Sequence, residues 1–289
     1  MMGLARSGTG QLTRRAAVGG FALGLAGAAP VTPPRRVVSL NPCLDVILFH
    51  VARRDQIAAL THYARDPDAS TLGQRAQDIP ITHETAEEVV ALRPDLVLMS
   101  HHSAMSTRLA LSRLGIPQAM FDVPQTVTAS LAQVRQIAQL LGRRAQGEAV
   151  IAQIEAALAA AAPPLGTPPL SAIVYQPNGF AAGVGTLTDE MMRRTGFVNV
   201  AARYGLGRWG NIGLEQILAD PPQVLLAGQV AEGAPTWADR VLSHPALEAI
   251  SGVMRREVFP QRLLYCGGPV LIETAQALAR ARRNVLGAA

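Results

Sequence analysis

Lysine is absent from this chain of 289 residues, in which all 26 basic side chains are arginine. Without lysine the chain can carry neither a Schiff base nor the phosphate-binding loop that ends in Gly-Lys. The sequence also has no Gly-x-Ser-x-Gly, Cys-x-x-Cys or His-Glu-x-x-His motif. These are the common signatures of hydrolases, thiol redox proteins and zinc proteases, so we expect no catalytic residue and no enzyme.

Charge is scarce as well. Charged residues make up 16% of the chain and apolar residues 49%, which is the composition of a globular protein and not of a disordered one. The net charge of +5 comes from scattered arginine pairs such as Arg35-Arg36 and Arg143-Arg144. No basic stripe with interleaved aromatic residues is present, so we expect no nucleic-acid partner.

No apolar run reaches the roughly 20 residues that a transmembrane helix requires. The apolar segment 16–29 is short and rich in Gly and Ala, and it lies between Thr13-Arg14-Arg15 and Pro30. This pattern is typical of an export signal, and the paired arginines favour the twin-arginine route. We predict an export signal over residues 1–29 and a mature protein in the periplasm. The general secretory route and an uncleaved anchor are the alternatives.

Cysteine and histidine are too sparse to predict a metal site. The two cysteines, Cys43 and Cys266, are consistent with a disulfide in an exported protein or with two free thiols. Among six histidines, His101-His102 follow a predicted strand, where ligands often bind. Adjacent side chains diverge, however, and no third ligand stands at helical spacing. We therefore predict no metal site and no cofactor.

The chain alternates predicted strands and helices from Arg35 onward. The buried strand at 95–99 and the strand at 171–175 lie on either side of a long helical region at 126–162, which Gly142 interrupts. Repeated strand–helix units predict an α/β fold with mainly parallel sheets.

A repeat between the two halves predicts two similar lobes. Glu87 and Glu215 each begin a short amphipathic helix, and a proline, Pro94 or Pro222, stands seven residues later, before a buried strand. Thr85 and Glu88 have the spacing of a capping box. We therefore predict two lobes joined by one long rigid helix, with a ligand cleft between them. The predicted segments are an N-terminal lobe at 35–142, an interlobe helix at 143–163 and a C-terminal lobe at 170–285.

Aromatic residues make up only 4% of the chain, so their positions are informative. Tyr63, Phe180, Trp209 and Tyr265 all fall in predicted loops beside Gly, Pro or Asn. Side chains of this type offer flat apolar faces to a large ring-shaped ligand. Ordinary loop packing is the alternative for each one.

The predicted signal, the first strand with Ser39-Leu40-Asn41-Pro42, the two glutamate blocks and the long helix resemble the helical-backbone class of periplasmic binding proteins. That class serves ABC importers of cobalamin, haem and ferric siderophores, and the resemblance covers about residues 35–283. It implies capture and delivery of a metal chelate by a monomer, without chemistry. It also implies that Glu87 and Glu215 dock into arginine pockets of the permease dimer.

Within that class the likeness is greatest to cobalamin-binding members. The segment from His62 to Pro67 resembles a loop with a corrin-contacting tyrosine, which implies that Tyr63 contacts the ligand. Asn178-Gly179-Phe180 resembles a cleft segment, and Trp209 precedes Glu215 as a cleft tryptophan does in those members. The expected ligand is therefore a corrinoid.

Two departures from the cobalamin-type pattern keep other ligands open. Ile81 stands where a tryptophan would be expected, and Tyr265-Cys266-Gly267-Gly268-Pro269 lacks a polar pair that contacts the ligand. A ferric siderophore, which would need arginines such as Arg65, Arg203 and Arg208, or a haem is the alternative.

The resemblance also adds further cleft candidates, which are Asn41, Cys43, Asn211 and Tyr265. It places the two cysteines on opposite lobes, where they either contact the ligand or bridge the lobes. An exported two-lobed enzyme and a signalling subunit are the rival functions.

Overall fold

The computed structural model describes residues 32–228 and 244–287. The predicted export signal at 1–29 lies outside the described residues and stays a prediction. Within the described residues, no helix combines the length and the apolar character needed to span a membrane.

The N-terminal lobe is built on a five-stranded sheet in which all strands are parallel, in the order β3-β2-β1-β4-β5. Its strands are β1 (Val37–Ser39), β2 (Ile57–Thr61), β3 (Ile81–Thr82), β4 (Leu96–Ser100) and β5 (Gln118–Phe121). Its helices are α1 (Pro42–Val51), α2 (Ala86–Ala91) and α3 (Met105–Arg113). Every residue of β4 is buried, as expected for a strand covered on both faces. The carboxyl ends of these strands lie along one edge of the sheet.

The C-terminal lobe has a six-stranded mixed sheet. Its strands are β6 (Leu170–Tyr175), β7 (Phe180–Ala182), β8 (Phe197–Asn199), β9 (Trp209–Asn211), β10 (Val224–Ala227) and β11 (Arg255–Val258). Its helices are α6 (Leu187–Arg194), α7 (Leu214–Ala219), α8 (Pro245–Ala249) and α9 (Val270–Gly287). Strands β6, β8, β10 and β11 are parallel, whereas β7 runs antiparallel to both β6 and β9.

One long helix connects the lobes, and a second helix precedes it in the chain. Helix α4 (Val127–Leu140) ends before Gly142, whose φ of +67° suits glycine, and α5 (Arg144–Ala161) then leads to β6. Helix α5 packs against α1 and α4 and also against α9. The predicted break at Gly142 is therefore confirmed, and α5 is the long helix between the lobes.

One hydrophobic core runs through both lobes along these helices. It includes Ile47 of α1, Val134 of α4, Ile154 of α5 and Leu278 of α9, all fully buried. Burial of each such side chain contributes about 1.5–3 kcal/mol. Because the lobes share this core, the predicted α/β architecture of two lobes on a rigid helical backbone is confirmed.

Candidate functional site

Three of the four aromatic residues singled out in the sequence come together in the C-terminal lobe. Phe180 and Trp209 lie on adjacent strands β7 and β9, with ring centroids 5.7 Å apart and planes 11° apart. Tyr265 completes the group, its ring centroid 6.2 Å from that of Phe180 and 6.0 Å from that of Trp209. We call these three residues the aromatic cluster.

Strand pairing explains why Phe180 and Trp209 share a face. Phe180 pairs with Asn211 and Trp209 pairs with Ala182 across the antiparallel β7–β9 ladder, which makes the two aromatic residues diagonal neighbours on one face. The prediction that they lie in loops is wrong. Strands of only three residues, such as Phe180–Ala182 with two alanines and Trp209–Asn211 with a glycine, have too little β-propensity to be seen in the sequence.

The aromatic cluster leaves a flat apolar surface uncovered. Trp209 is 37% exposed and Tyr265 is 42% exposed, while Phe180 is half-buried. Large apolar side chains are usually covered in a soluble protein, and an exposed group of them marks a binding surface.

Both flanks of the aromatic cluster contact the N-terminal lobe. Cys266, the residue after Tyr265, forms a disulfide with Cys43 at the start of α1, with 5.0 Å between the Cα atoms. Arg208, the residue before Trp209, donates a hydrogen bond from Nη2 to Oε1 of Gln125 at 2.6 Å. The cluster therefore lies beside the seam between the lobes. The disulfide shows that the cysteines bridge the lobes and that neither keeps a thiol that could bind a metal, and it leaves ligand contact by Cys43 a prediction.

Tyr63 lies apart from the aromatic cluster, at the carboxyl end of β2 in the N-terminal lobe. It is 41% exposed, and its ring centroid is 3.9 Å from that of His62. The His62 ring stacks in turn on that of His83, with centroids 5.0 Å apart. Among the described residues, no ring contact joins Tyr63 to the aromatic cluster.

A carboxylate accompanies these two histidines. Glu84 follows β3, its φ of +70° is unusual for a residue other than glycine, and burial raises the pKa of its carboxyl while His62 and His83 lower it. The sequence alone does not reveal this group, because His62 and Glu84 are far apart in the chain. In the structure each follows a strand of the same parallel sheet, β2 or β3, and the strand before Glu84 has only two residues and was not predicted.

The other predicted cleft residues have structural partners. Asn41 caps α1, its Oδ1 accepting hydrogen bonds from the backbone N–H groups of Cys43 and Leu44 at 3.0 and 3.3 Å. Asn211 donates from Nδ2 to the carbonyl of Asn178 at 2.7 Å. These bonds orient the β1–α1 and β6–β7 connections, and they leave the ligand-contacting role of both residues a prediction.

The predicted docking glutamates occupy matching places in the two lobes. Glu87 and Glu215 are exposed in the first turns of α2 and α7, helices that follow the edge strands β3 and β9. Glu87 makes no hydrogen bond or ion pair with the described part of the chain. Glu88 instead accepts hydrogen bonds from Thr82 Oγ1 at 2.8 Å and from the His83 N–H at 2.7 Å.

The capping box at Thr85 forms only in part. Thr85 accepts a hydrogen bond from the Glu88 N–H at 3.3 Å, as the spacing predicts. The Glu88 carboxylate does not return the bond, because it is engaged by Thr82 and His83.

No group of three His, Cys, Asp or Glu side chains in residues 32–228 and 244–287 is arranged to hold a metal ion. A cavity of about 400 Å³ lies on another part of the surface, between α4, α5 and α6, and contains none of the predicted site residues. Its lining includes Leu131, Leu158, Glu155 and Arg194.

Solved structures share this fold. The heme-binding protein RhuT from Roseiflexus sp. RS-1, in apo form, is 25% identical with a TM-score of 0.70, and the alignment covers 87% of this chain and 98% of that one. The vitamin B12 binding protein BtuF of Vibrio cholerae is 16% identical with a TM-score of 0.65, covering 88% and 98%. A protein of an Fe3+-hydroxamate transport system from Saccharomonospora viridis is 20% identical with a TM-score of 0.63, covering 88% and 94%.

Comparison with curated protein sequences gives no significant match. A family profile described as "Periplasmic binding protein" matches residues 37–260, which is most of the chain. The resemblance to the helical-backbone class is thus confirmed by both sequence profile and structure. The chain belongs to the periplasmic binding protein family, whose members are substrate-binding transport proteins and not enzymes.

Proposed function

We propose that this protein captures a planar tetrapyrrole metal chelate, a corrinoid of the cobalamin type, in the periplasm and delivers it to the permease dimer of an ABC importer. The observation that carries the proposal is the aromatic cluster. Three rings that are partly exposed and lie within 6.2 Å of one another offer a broad flat surface to a ring-shaped ligand. Ring-to-ring contacts of this kind add about 0.5–1.5 kcal/mol each beyond the buried area.

The N-terminal lobe would supply the opposite wall of the cleft. Tyr63 and the stacked pair His62 and His83 lie at the carboxyl ends of β2 and β3, the edge where ligands bind in open parallel sheets. A flat ligand between this group and the aromatic cluster would contact both lobes.

Haem is the second candidate ligand. The specific observation in its favour is the 25% identity to a heme-binding protein over 98% of that chain. Haem and corrinoids are both flat metal chelates, so the aromatic cluster suits either one.

A ferric siderophore receives less support from the arginines. An anionic siderophore would need free guanidinium groups, yet Arg65 donates to the carbonyl of Ile79 at 2.7 Å and Arg208 donates to Gln125. Arg203 lies 4.0 Å from a carboxylate oxygen of Asp220. Binding such a ligand would require these side chains to give up their present partners.

Delivery would depend on Glu87 and Glu215. Both carboxylates are exposed in first helical turns, where the partial positive charge of the helix N-terminus tolerates them well. An exposed carboxylate costs little in the free protein and forms a bidentate pair when it meets arginine. One such group on each lobe suits a permease made of two subunits.

Fluorescence titration tests the ligand assignment. In the variant Trp237→Phe, Trp209 is the only tryptophan left, and we expect cyanocobalamin to quench it saturably. Titrations with haemin and with a ferric hydroxamate siderophore run beside it, and N-acetyltryptophanamide corrects for absorption by the ligands. Quenching by haemin alone would transfer the assignment to haem. Saturable quenching by neither tetrapyrrole would overturn the proposal.

A further inference from the structure

The loop that carries Tyr265 is attached to both lobes. On its own lobe, Thr188 Oγ1 donates a hydrogen bond to the carbonyl of Leu264 at 3.0 Å. On the other lobe, Cys266 is bonded to Cys43, and the Gly268 N–H donates to Ser130 Oγ at 2.6 Å. We call residues 264–269 the bridging loop.

The bridging loop packs closely against side chains of the N-terminal lobe. A Cβ added to Gly267 would come within 2.5 Å of Ser130 Oγ, and one added to Gly268 within 2.7 Å of Ile47 Cγ1. Gly268 also has a φ of +62°, which disfavours other residues. The bridging loop is therefore packed tightly against side chains of α1 and α4.

The Cys43 end of the disulfide is itself held firmly. The Asn41 side chain accepts the Cys43 N–H at 3.0 Å and donates from Nδ2 to Ser100 Oγ at 3.3 Å. Asn41 follows β1 and Ser100 ends β4, so Cys43 is fixed to the centre of the N-terminal sheet.

Among the described residues, no hydrogen bond or disulfide joins Tyr265 to the strands that carry Phe180 and Trp209. It lies in an irregular segment between the short helical turn Gln261–Leu263 and α9. The side-chain partner of its hydroxyl, Gln261, lies in that turn, so this bond does not join Tyr265 to β7 or β9. The position of the ring therefore depends on what holds the neighbouring backbone.

We infer that the disulfide Cys43–Cys266 is a positioning element of the binding site, which places Tyr265 against Phe180 and Trp209 by fixing the bridging loop to α1. The relative position of the two lobes and the shape of the aromatic cluster are thereby coupled. The inference about where the Tyr265 ring lies does not depend on the ligand. The inference about ligand affinity rests on the proposed function.

A spectroscopic experiment without ligand tests the placement. The chain has four tyrosines, so labelling with 3-fluorotyrosine gives four ¹⁹F resonances, and Tyr265→Phe assigns the one of interest. In the full chain with Cys43→Ser and Cys266→Ser, we expect the Tyr265 resonance to shift or broaden. The resonances of Tyr175 and Tyr204, which are buried in the C-terminal lobe, should stay in place. A Tyr265 resonance that does not change refutes the inference.

Ser130→Ala provides the second measurement, because it keeps the disulfide and removes only the hydrogen bond to Gly268. We expect the Tyr265 resonance to stay where it is in the unmodified chain. If the variant with Cys43→Ser and Cys266→Ser also changes the resonances of Tyr175 and Tyr204, the result for Ser130→Ala decides between the disulfide and the hydrogen bond. A Tyr265 resonance displaced by Ser130→Ala would assign the positioning to the hydrogen bond and overturn the role of the disulfide.

A double-mutant cycle tests the consequence for binding, with cyanocobalamin and haemin as probes. We expect the serine pair to weaken binding about threefold to tenfold, because Tyr265 must then be ordered on binding. Tyr265→Ala should cost less affinity in the serine background than in the unmodified chain. Additive losses would overturn the positioning role and leave the proposed function intact. Absence of binding in every variant would refute the proposed function, and the ¹⁹F result would still decide the placement.

Discussion

Phe180 and Trp209 form an almost parallel pair of rings, with planes 11° apart and centroids separated by 5.7 Å. They stand on neighbouring antiparallel strands, so the pair is held by backbone hydrogen bonds and not by loop conformation. A preformed surface of this kind loses little entropy when a flat ligand binds.

Removal of the Phe180 ring should weaken ligand binding while the fold is retained. For Phe180→Ala we expect a loss of about 1.5 kcal/mol, roughly tenfold in the dissociation constant, since the ligand loses one aromatic contact and Trp209 loses its support. Fluorescence titration with the ligand identified above measures it. Leu165→Ala, which removes a fully exposed apolar side chain elsewhere, is the matched control and should bind normally. Equal affinity of the two variants would contradict the role of the cluster.

The turn before Phe180 should be intolerant of a side chain. Asn178 and Gly179 have φ values of +63° and +75°, and a Cβ on Gly179 would lie 2.6 Å from the carbonyl oxygen of Ile212. We expect Gly179→Ala to lower the free energy of unfolding by more than the about 1–2 kcal/mol that the left-handed conformation alone costs. Urea denaturation measures it.

Gly166 supplies the control for that variant. Its φ is +79°, and no atom lies within 4 Å of an added Cβ. Gly166→Ala therefore carries the conformational cost without the clash and should be the less destabilising variant. If the two variants are equally stable, the close approach at Ile212 has no energetic consequence.

Loss of both docking carboxylates should separate binding from uptake. We expect Glu87→Ala with Glu215→Ala to keep the ligand affinity unchanged and to abolish uptake in cells that carry the cognate permease, because the pairs with permease arginines are lost. Radiolabelled ligand accumulation measures it. Glu148→Ala with Glu155→Ala removes two exposed carboxylates from α5 and should transport normally. Normal uptake by the first double variant would refute the docking assignment.

Asp45 should make the stability of the protein depend on pH. It is fully buried, and burial raises its pKa from 3.8 to about 7, although hydrogen bonds from Ser39 and Thr61 lower it. Between these two values the unfolded chain releases a proton that the folded protein retains, so the free energy of unfolding falls as pH rises. Above about pH 7 the stability that comes from the protonated Asp45 carboxyl is fully lost.

Asp45→Asn should remove this dependence, because asparagine carries no charge to bury. We expect the stability of the unmodified chain, relative to the asparagine variant, to decrease by at least about 1 kcal/mol from pH 4 to pH 7. Urea denaturation at intervals across that range measures the difference. Parallel profiles for the two proteins would show that Asp45 ionises normally in the fold.

The sequence by itself determined the α/β fold, the two lobes and the helical connection. Buried strands such as Leu96–Ser100 and the break at Gly142 leave local signals, because burial on both faces requires an apolar run and a left-handed turn favours glycine. The aromatic residues could also be selected as candidates from the sequence, because they are rare and flank turn residues.

Only the tertiary structure decided how those residues meet. The β7–β9 ladder, which sets Phe180 beside Trp209, has strands too short to leave a pattern in the sequence. The disulfide between Cys43 and Cys266 and the stacking of His62 on His83 join residues that are distant in the chain. Contacts of this kind follow from the packing of whole lobes, and no local propensity or spacing encodes them.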